Sequence, residues 1–188
     1  MLKFPWFLVA ALTAASAQDK TIDVEHSTIT IHVGKAGLFA AAGHEHWVNA
    51  PISAGKFNDS DPLYVEFKVD AKGMAVKPDP KIDAATQAQI QNDMQEMTLE
   101  SRKYPEITFR SSRVEGQAQG LWKVEGLLTL HGLTKPVAVT VRRTGETYAG
   151  HASTKQTDFG IKPVSAGGGL IKVKNELELD FQIRSTRK

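Results

Sequence analysis

The sequence predicts an all-β protein with a single amphipathic helix, and three observations carry that prediction. Apolar and polar residues alternate with period two through most of the chain, which in a strand gives one dry face and one wet face. Clusters of Gly, Pro, Asn and Asp separate these runs, as turns require. One segment, from about Asp83 to Ser101, drops the alternation for a helical spacing.

Ahead of the first strand stands an address. Lys3 supplies a positive charge, Phe4 to Ala15 is an uncharged apolar run, and Ala15-Ser16-Ala17 has the small-x-small form of a signal peptidase site. The run is too short to cross a bilayer core of roughly 30 Å as a helix. Residues 1–17 are therefore expected to be a signal peptide, and 18–188 one exported domain, periplasmic or secreted, with no stable membrane span.

The strands follow in order. Ile29, Ile31 and Val33 alternate with Thr28, Thr30 and His32, and further short strands are expected within 37–48 and 51–58. Leu63, Val65, Phe67 and Val69 oppose Tyr64, Glu66, Lys68 and Asp70. After Pro78 and Pro80, Ile90, Met94 and Met97 fall at i, i+4 and i+7, the stripe of a helix lying against or over the sheet end. Ile107 and Phe109 resume the alternation. Trp122, Val124, Leu128 and Leu130 carry it to His131-Gly132, beyond which Val137, Val139 and Val141 continue; a short Gly-containing connection of this kind signals a hairpin. A strand over 148–157 and a long last one, with Ile171, Val173, Leu177, Leu179, Phe181 and Ile183 on its dry side, complete about eight. Gly167-Gly168-Gly169 reads as a turn, since it lacks the setting of a phosphate loop. Such a set of strands fits a sandwich or a closed barrel, and an eight-stranded barrel has room for one small ligand.

Composition removes whole classes of chemistry. With no cysteine there is no disulfide framework, thiolate nucleophile or Cys-ligated metal. A formal net charge of +2 is too even for a broad phosphate-gripping face, and no aromatics interleave the basic residues, so no nucleic-acid partner is expected. Pro51-Ile52-Ser53-Ala54-Gly55 and Pro163-Val164-Ser165-Ala166-Gly167 each lack the first glycine of a nucleophile elbow. No pair of carboxylates stands out. The reading is a non-enzyme without catalytic residues and without an obligatory cofactor.

Five strings, in order, resemble one family. Ile22–Ser27, Tyr104–Ser111, Gly126–Val137, Thr157–Ile161 and Lys172–Leu177 are similar to successive motifs of the YceI family, lipocalin-like proteins that bind isoprenoid and other long-chain lipids. The resemblance spans nearly all of the chain beyond the leader. It implies an extended antiparallel eight-stranded barrel with a helix, enclosing an elongated apolar tunnel, and a binding or carrier role toward polyisoprenoids, quinone side chains or other lipids. The chain departs from the family pattern at Ala40-Ala41-Ala42 and in Gly43-His44-Glu45-His46-Trp47-Val48. No family motif for a head-group contact is matched, and none is carried over.

Strand parity then names candidates for the tunnel wall. They are Phe39, Trp47, Phe67, Phe109 and Leu128 in the first half, and Leu130, Val139, Phe159, Leu177 and Phe181 in the second. Phe159 and Ile161 also suit a plug, and His131 a role in fixing its turn or capping the barrel end. His44 and His46, two apart on an extended segment, face one side and suit a clamp on a ligand head group. The competing reading is a His-based metal or haem protein on the same barrel. It uses His44 and His46 with a third ligand from His26, His131, His151 or an acid. A protein acting through its surface is a third possibility, for which no residue gives a handle.

Overall fold

The computed structural model describes residues 19–37, 44–166 and 171–186. The expected leader, Phe39 and the Gly167–Gly169 turn lie outside them. The elements are β1 (Lys20–Thr21), β2 (Thr28–Ala36), β3 (His46–Asn49), β4 (Ile52–Asn58), β5 (Tyr64–Asp70), β6 (Ala75–Val76), α1 (Ala84–Asp93), β7 (Glu106–Ala118), β8 (Leu121–Leu130), β9 (Leu133–Thr144), β10 (Thr147–Lys155), β11 (Ser165–Ala166) and β12 (Ile171–Arg184). Every pairing is antiparallel, and the main path runs β4-β5-β7-β8-β9-β10-β12-β2-β3.

That path closes on itself, because only Ala50 and Pro51 separate β3 from β4. Before the proline the run pairs with β2, through Ile31↔Val48 and a bond from Ala50 N to Ile29 O of 2.9 Å. After it the run pairs with β5, and Pro51 O accepts from Asp70 N at 3.0 Å. Proline has no N–H to offer a ladder, so it sits where one strand changes partners. Taken as one bent strand, β3 and β4 complete the eight expected staves. β1, β6 and β11 are two-residue additions that sequence alternation does not reveal. β1 seals a remaining wedge: it pairs with β4, Ile22 bridges Ser185 beyond β12, and Thr186 N donates to Thr21 O at 2.9 Å.

The inward parity holds across an irregularity in β12. Val173 pairs with Lys35 but Leu177 with Val33, so β12 carries two extra residues and its apolar side still faces in. The bulge is tied down by the turn after β10: Gln156 Nε2 donates to Lys174 O at 2.7 Å, and Asn175 Oδ1 accepts from Thr157 N at 3.0 Å. In that turn Phe159 is fully buried and Gly160 takes the left-handed backbone that glycine tolerates.

The helix is capped by Asp83, whose carboxylate accepts from Thr86 N at 3.0 Å and from Thr86 Oγ1 at 2.6 Å. Gln91 and Gln95 fasten it, both donating to Met74 O, while Gln91 Oε1 accepts from Val76 N. After α1 the chain widens into a π turn over Met94–Thr98, with Leu99 N bonding Met94 O at 2.8 Å. This inserted residue corrects the sequence stripe. Ile90, Met94 and Leu99 face the barrel, and Met97 is turned out to 72% exposure.

One end of the barrel is sealed by a polar knot over aromatic rings. Asp59 receives Lys20 Nζ at 2.8 Å, Tyr148 Oη at 2.5 Å and Arg143 at 3.3 Å. Below it Tyr148 packs edge-on to Phe57 at 4.8 Å and against Trp122 at 5.8 Å. Burial works against the Asp59 charge, but the bonds from Lys20 and Tyr148 outweigh it and hold the carboxyl below its usual range. A lowered folded pKa stabilises above the unfolded value, about 3.9, and that stability is lost as pH falls through the folded value. Urea midpoints should therefore fall steeply for the wild type below about pH 4. Asp59→Asn should be weaker by about 1–3 kcal/mol at neutral pH and show a flatter acid limb. Parallel acid limbs for the two proteins would contradict this role.

Candidate binding cavity

The dry strand faces enclose a cavity of about 380 Å³. Its wall is built from alternate residues of every stave, among them Ile31, Phe67, Phe109, Leu128, Val139 and Phe181, with Ile90, Met94 and Leu99 of the helical segment across one end. Alternation alone does not leave a hole, because inward side chains of an eight-stranded barrel can fill it. Two glycines keep this one open. The Phe109 ring tip stands 2.5 Å from where a Cβ on Gly126 would be, and the Phe181 tip 2.5 Å from the same position on Gly150, its register partner. Each ring thus rests on bare backbone of the neighbouring strand instead of reaching across the lumen, a glycine–aromatic pairing also used to pin register. Phe67 stacks on Phe109 at 5.3 Å and extends the layer along the wall.

Of the wall candidates, Phe67, Phe109, Leu128, Leu130, Val139, Leu177 and Phe181 line this cavity. Trp47 is a correction. It lies on the outer face, 44% exposed and stacked on His32 at 4.8 Å, because β3 turns His46 and Val48 inward. Phe159 is also moved: it plugs the barrel end beside the cavity and does not line it. Trp122, Tyr148 and the helical stripe were not among the candidates. Trp122 and Tyr148 sit on inward parity of β8 and β10, which was the available signal.

His44 and His46 do not act as a matched pair. His46 borders the cavity and is half-buried, whereas His44 precedes the strand and is exposed. Burial, reinforced by the nearby His44, pushes the His46 imidazole below its ordinary pKa, so it faces the cavity as a neutral donor or acceptor. Glu45 points outward to His32 Nε2 at 3.3 Å. Among the described residues no three His, Asp or Glu side chains converge to hold a metal ion. His131 lies in the β8–β9 turn with a left-handed backbone. It bonds Glu100 at 2.6 Å and Phe159 O at 3.2 Å, and packs on Tyr104 at 4.5 Å. It therefore fastens the hairpin to both the plug and the segment after the helix.

The sequence pattern of the YceI-like domain matches residues 21–185. Among curated relatives, UPF0312 proteins of Shewanella oneidensis and of Shewanella sp. strain MR-7 are 28% and 30% identical; the first match covers 93% of this chain and 91% of the relative, the second 97% and 94%. Among solved structures, a polyisoprenoid binding domain from Saccharophagus degradans superposes with a TM-score of 0.60 at 14% identity, over 89% of this chain and 98% of that one. Burkholderia cenocepacia BcnA gives 0.56 at 18% identity, over 88% and 99%. At such identities the two structures speak to the fold.

The glycine–aromatic pairs are open to direct test. Gly126→Ala meets both Phe109 and the Arg110 carbonyl, so it should cost about 1–3 kcal/mol in urea unfolding. Phe109→Leu placed on top should recover part of that loss. A Gly126→Ala protein of wild-type stability would show that the ring does not depend on the missing Cβ.

Proposed function

The chain belongs to the YceI-like domain family, and from the cavity its barrel encloses we propose that it binds one long apolar chain, a polyisoprenoid or similar lipid, and carries it through the periplasm after export. The observation that carries the reading is the cavity: closed at one end by the Asp59 knot, roofed at the other by the helix, and lined almost wholly by aliphatic and aromatic side chains. The polyisoprenoid-binding neighbour and the leader pattern at Ala15–Ala17 support the same reading.

Chain burial supplies the free energy. Each CH₂ taken from water contributes about 0.8 kcal/mol, so ten give about 8 kcal/mol before association costs. Association costs of several kcal/mol come off that sum, so the net of about 8 kcal/mol that micromolar binding needs calls for roughly fifteen to twenty buried chain carbons. Such a site discriminates by length and girth more than by head group, since the wall offers few polar partners. At the helical roof, His46, Thr98 and Asp93 are among the polar lining residues placed to meet a polar head.

Native mass spectrometry of the protein purified from its producing cells should show a mass excess that organic solvent extracts as a long-chain lipid. The emptied protein should bind geranylgeraniol with a Kd of about micromolar order, unaffected by a chelator. A protein that carries no lipid and binds no geranylgeraniol would overturn the proposal. Binding abolished by the chelator would move the assignment to a His-based metal site.

A further inference from the structure

We infer that the cavity opens sideways, through a window between β9 and β10, and that the chain ligand enters and leaves there and not at the barrel ends. The inference rests on the chain-binding reading above and adds the route.

The pairing pattern makes the window. β9 and β10 are in register from Thr144↔Thr147 only to Thr140↔His151. Beyond that point β9 continues to pair with β8 as far as Leu133, and β10 continues to pair with β12 as far as Lys155. Extending the register would set Val139 against Ala152, Ala138 against Ser153 and Val137 against Thr154, but these pairs are not made. All six residues line the cavity. Ala138 and Ser153 have outward parity and are exposed, so a cavity that reaches them passes between the strands to the surface.

The frame holds the window open. At its rim nearer the helical roof the turn after β10 is drawn toward β12, by Gln156 to Lys174 O and Thr157 N to Asn175. The same turn meets β9, with Leu133 Cδ1 standing 3.4 Å from the Cβ position of Gly160, and His131 anchors Phe159 O. The two strands are thus joined at both ends of the gap and unjoined between. Passage through it breaks no ladder hydrogen bond. Entry at the roof would break the Gln91 and Gln95 bonds, and entry at the floor the Asp59 knot.

The cysteine-free chain suits the test. Ala138→Cys with Ser153→Cys, joined by a short bis-maleimide, bars the window; the same protein capped with N-ethylmaleimide leaves it open. Arg113→Cys with Glu125→Cys, across the paired β7–β8 seam, is the bridged control. Retinol, a fluorescent isoprenoid alcohol, reports exchange by stopped flow. Bridging the window should slow retinol uptake and release at least tenfold each, leaving Kd within about threefold, while the control bridge changes neither. Ser153→Trp, which needs no cross-link, should also slow both rates, and Ser153→Ala should not. Unchanged rates in the window-bridged protein would overturn the inference. So would a slowing seen only when the roof is stapled, by Gln95→Cys with Lys72→Cys. Failure of the capped, unbridged protein to bind retinol at all would overturn the chain-binding reading, and the window with it.

Discussion

The structure depends on one change of partners at Ala50-Pro51. A sheet without disulfides becomes a container only if its first and last strands find each other, and here a single run of chain does both jobs. Its first half hydrogen-bonds to β2 and its second half to β5, with the proline at the switch where no ladder donor is needed. Closure removes the free edges that an open sheet would expose. Every other feature, from the inward apolar parity to the capped ends, has meaning only once that ring is complete.

A closed barrel of this size tends to fill itself, so the second requirement is that it stay hollow. Gly126 and Gly150 meet it by letting Phe109 and Phe181 lie on neighbouring backbone. The polar groups are kept to the ends. The Asp59 knot closes one, and the Gln91 and Gln95 clamps with the His131–Glu100 pair secure the other. Buried charge is used where it is paired, and the wall between is left apolar, as chain binding requires.

Much of this was legible in the residues. The long alternation of β12 and the hairpin around His131-Gly132 gave strand faces that the structure keeps, and the ordered motifs gave the barrel where periodicity left a sandwich open. The misses have physical causes. Met97 was placed on the helical stripe because a π turn adds a residue that no i, i+4 count anticipates. Trp47 was assigned inside by parity over a strand expected within 37–48, but β3 begins only at His46 and turns His46 and Val48 inward, and His32 gives Trp47 an outer partner. His44 and His46 share a spacing but not an environment, since β3 begins only at His46. The gap between β9 and β10 has no sequence signature, because a ladder that stops midway leaves the alternation of both strands intact.

The central claim is that an apolar chain occupies the interior, and the two tryptophans flanking that question make it measurable. Trp122 borders the cavity and Trp47 stands outside it. With Trp6 replaced by Phe, a long-chain alcohol brominated along its chain should quench the fluorescence on binding. The quenching should persist in Trp47→Phe and vanish in Trp122→Phe. Quenching that follows Trp47, with Trp122 untouched, would place the chain on the outer surface and contradict the account.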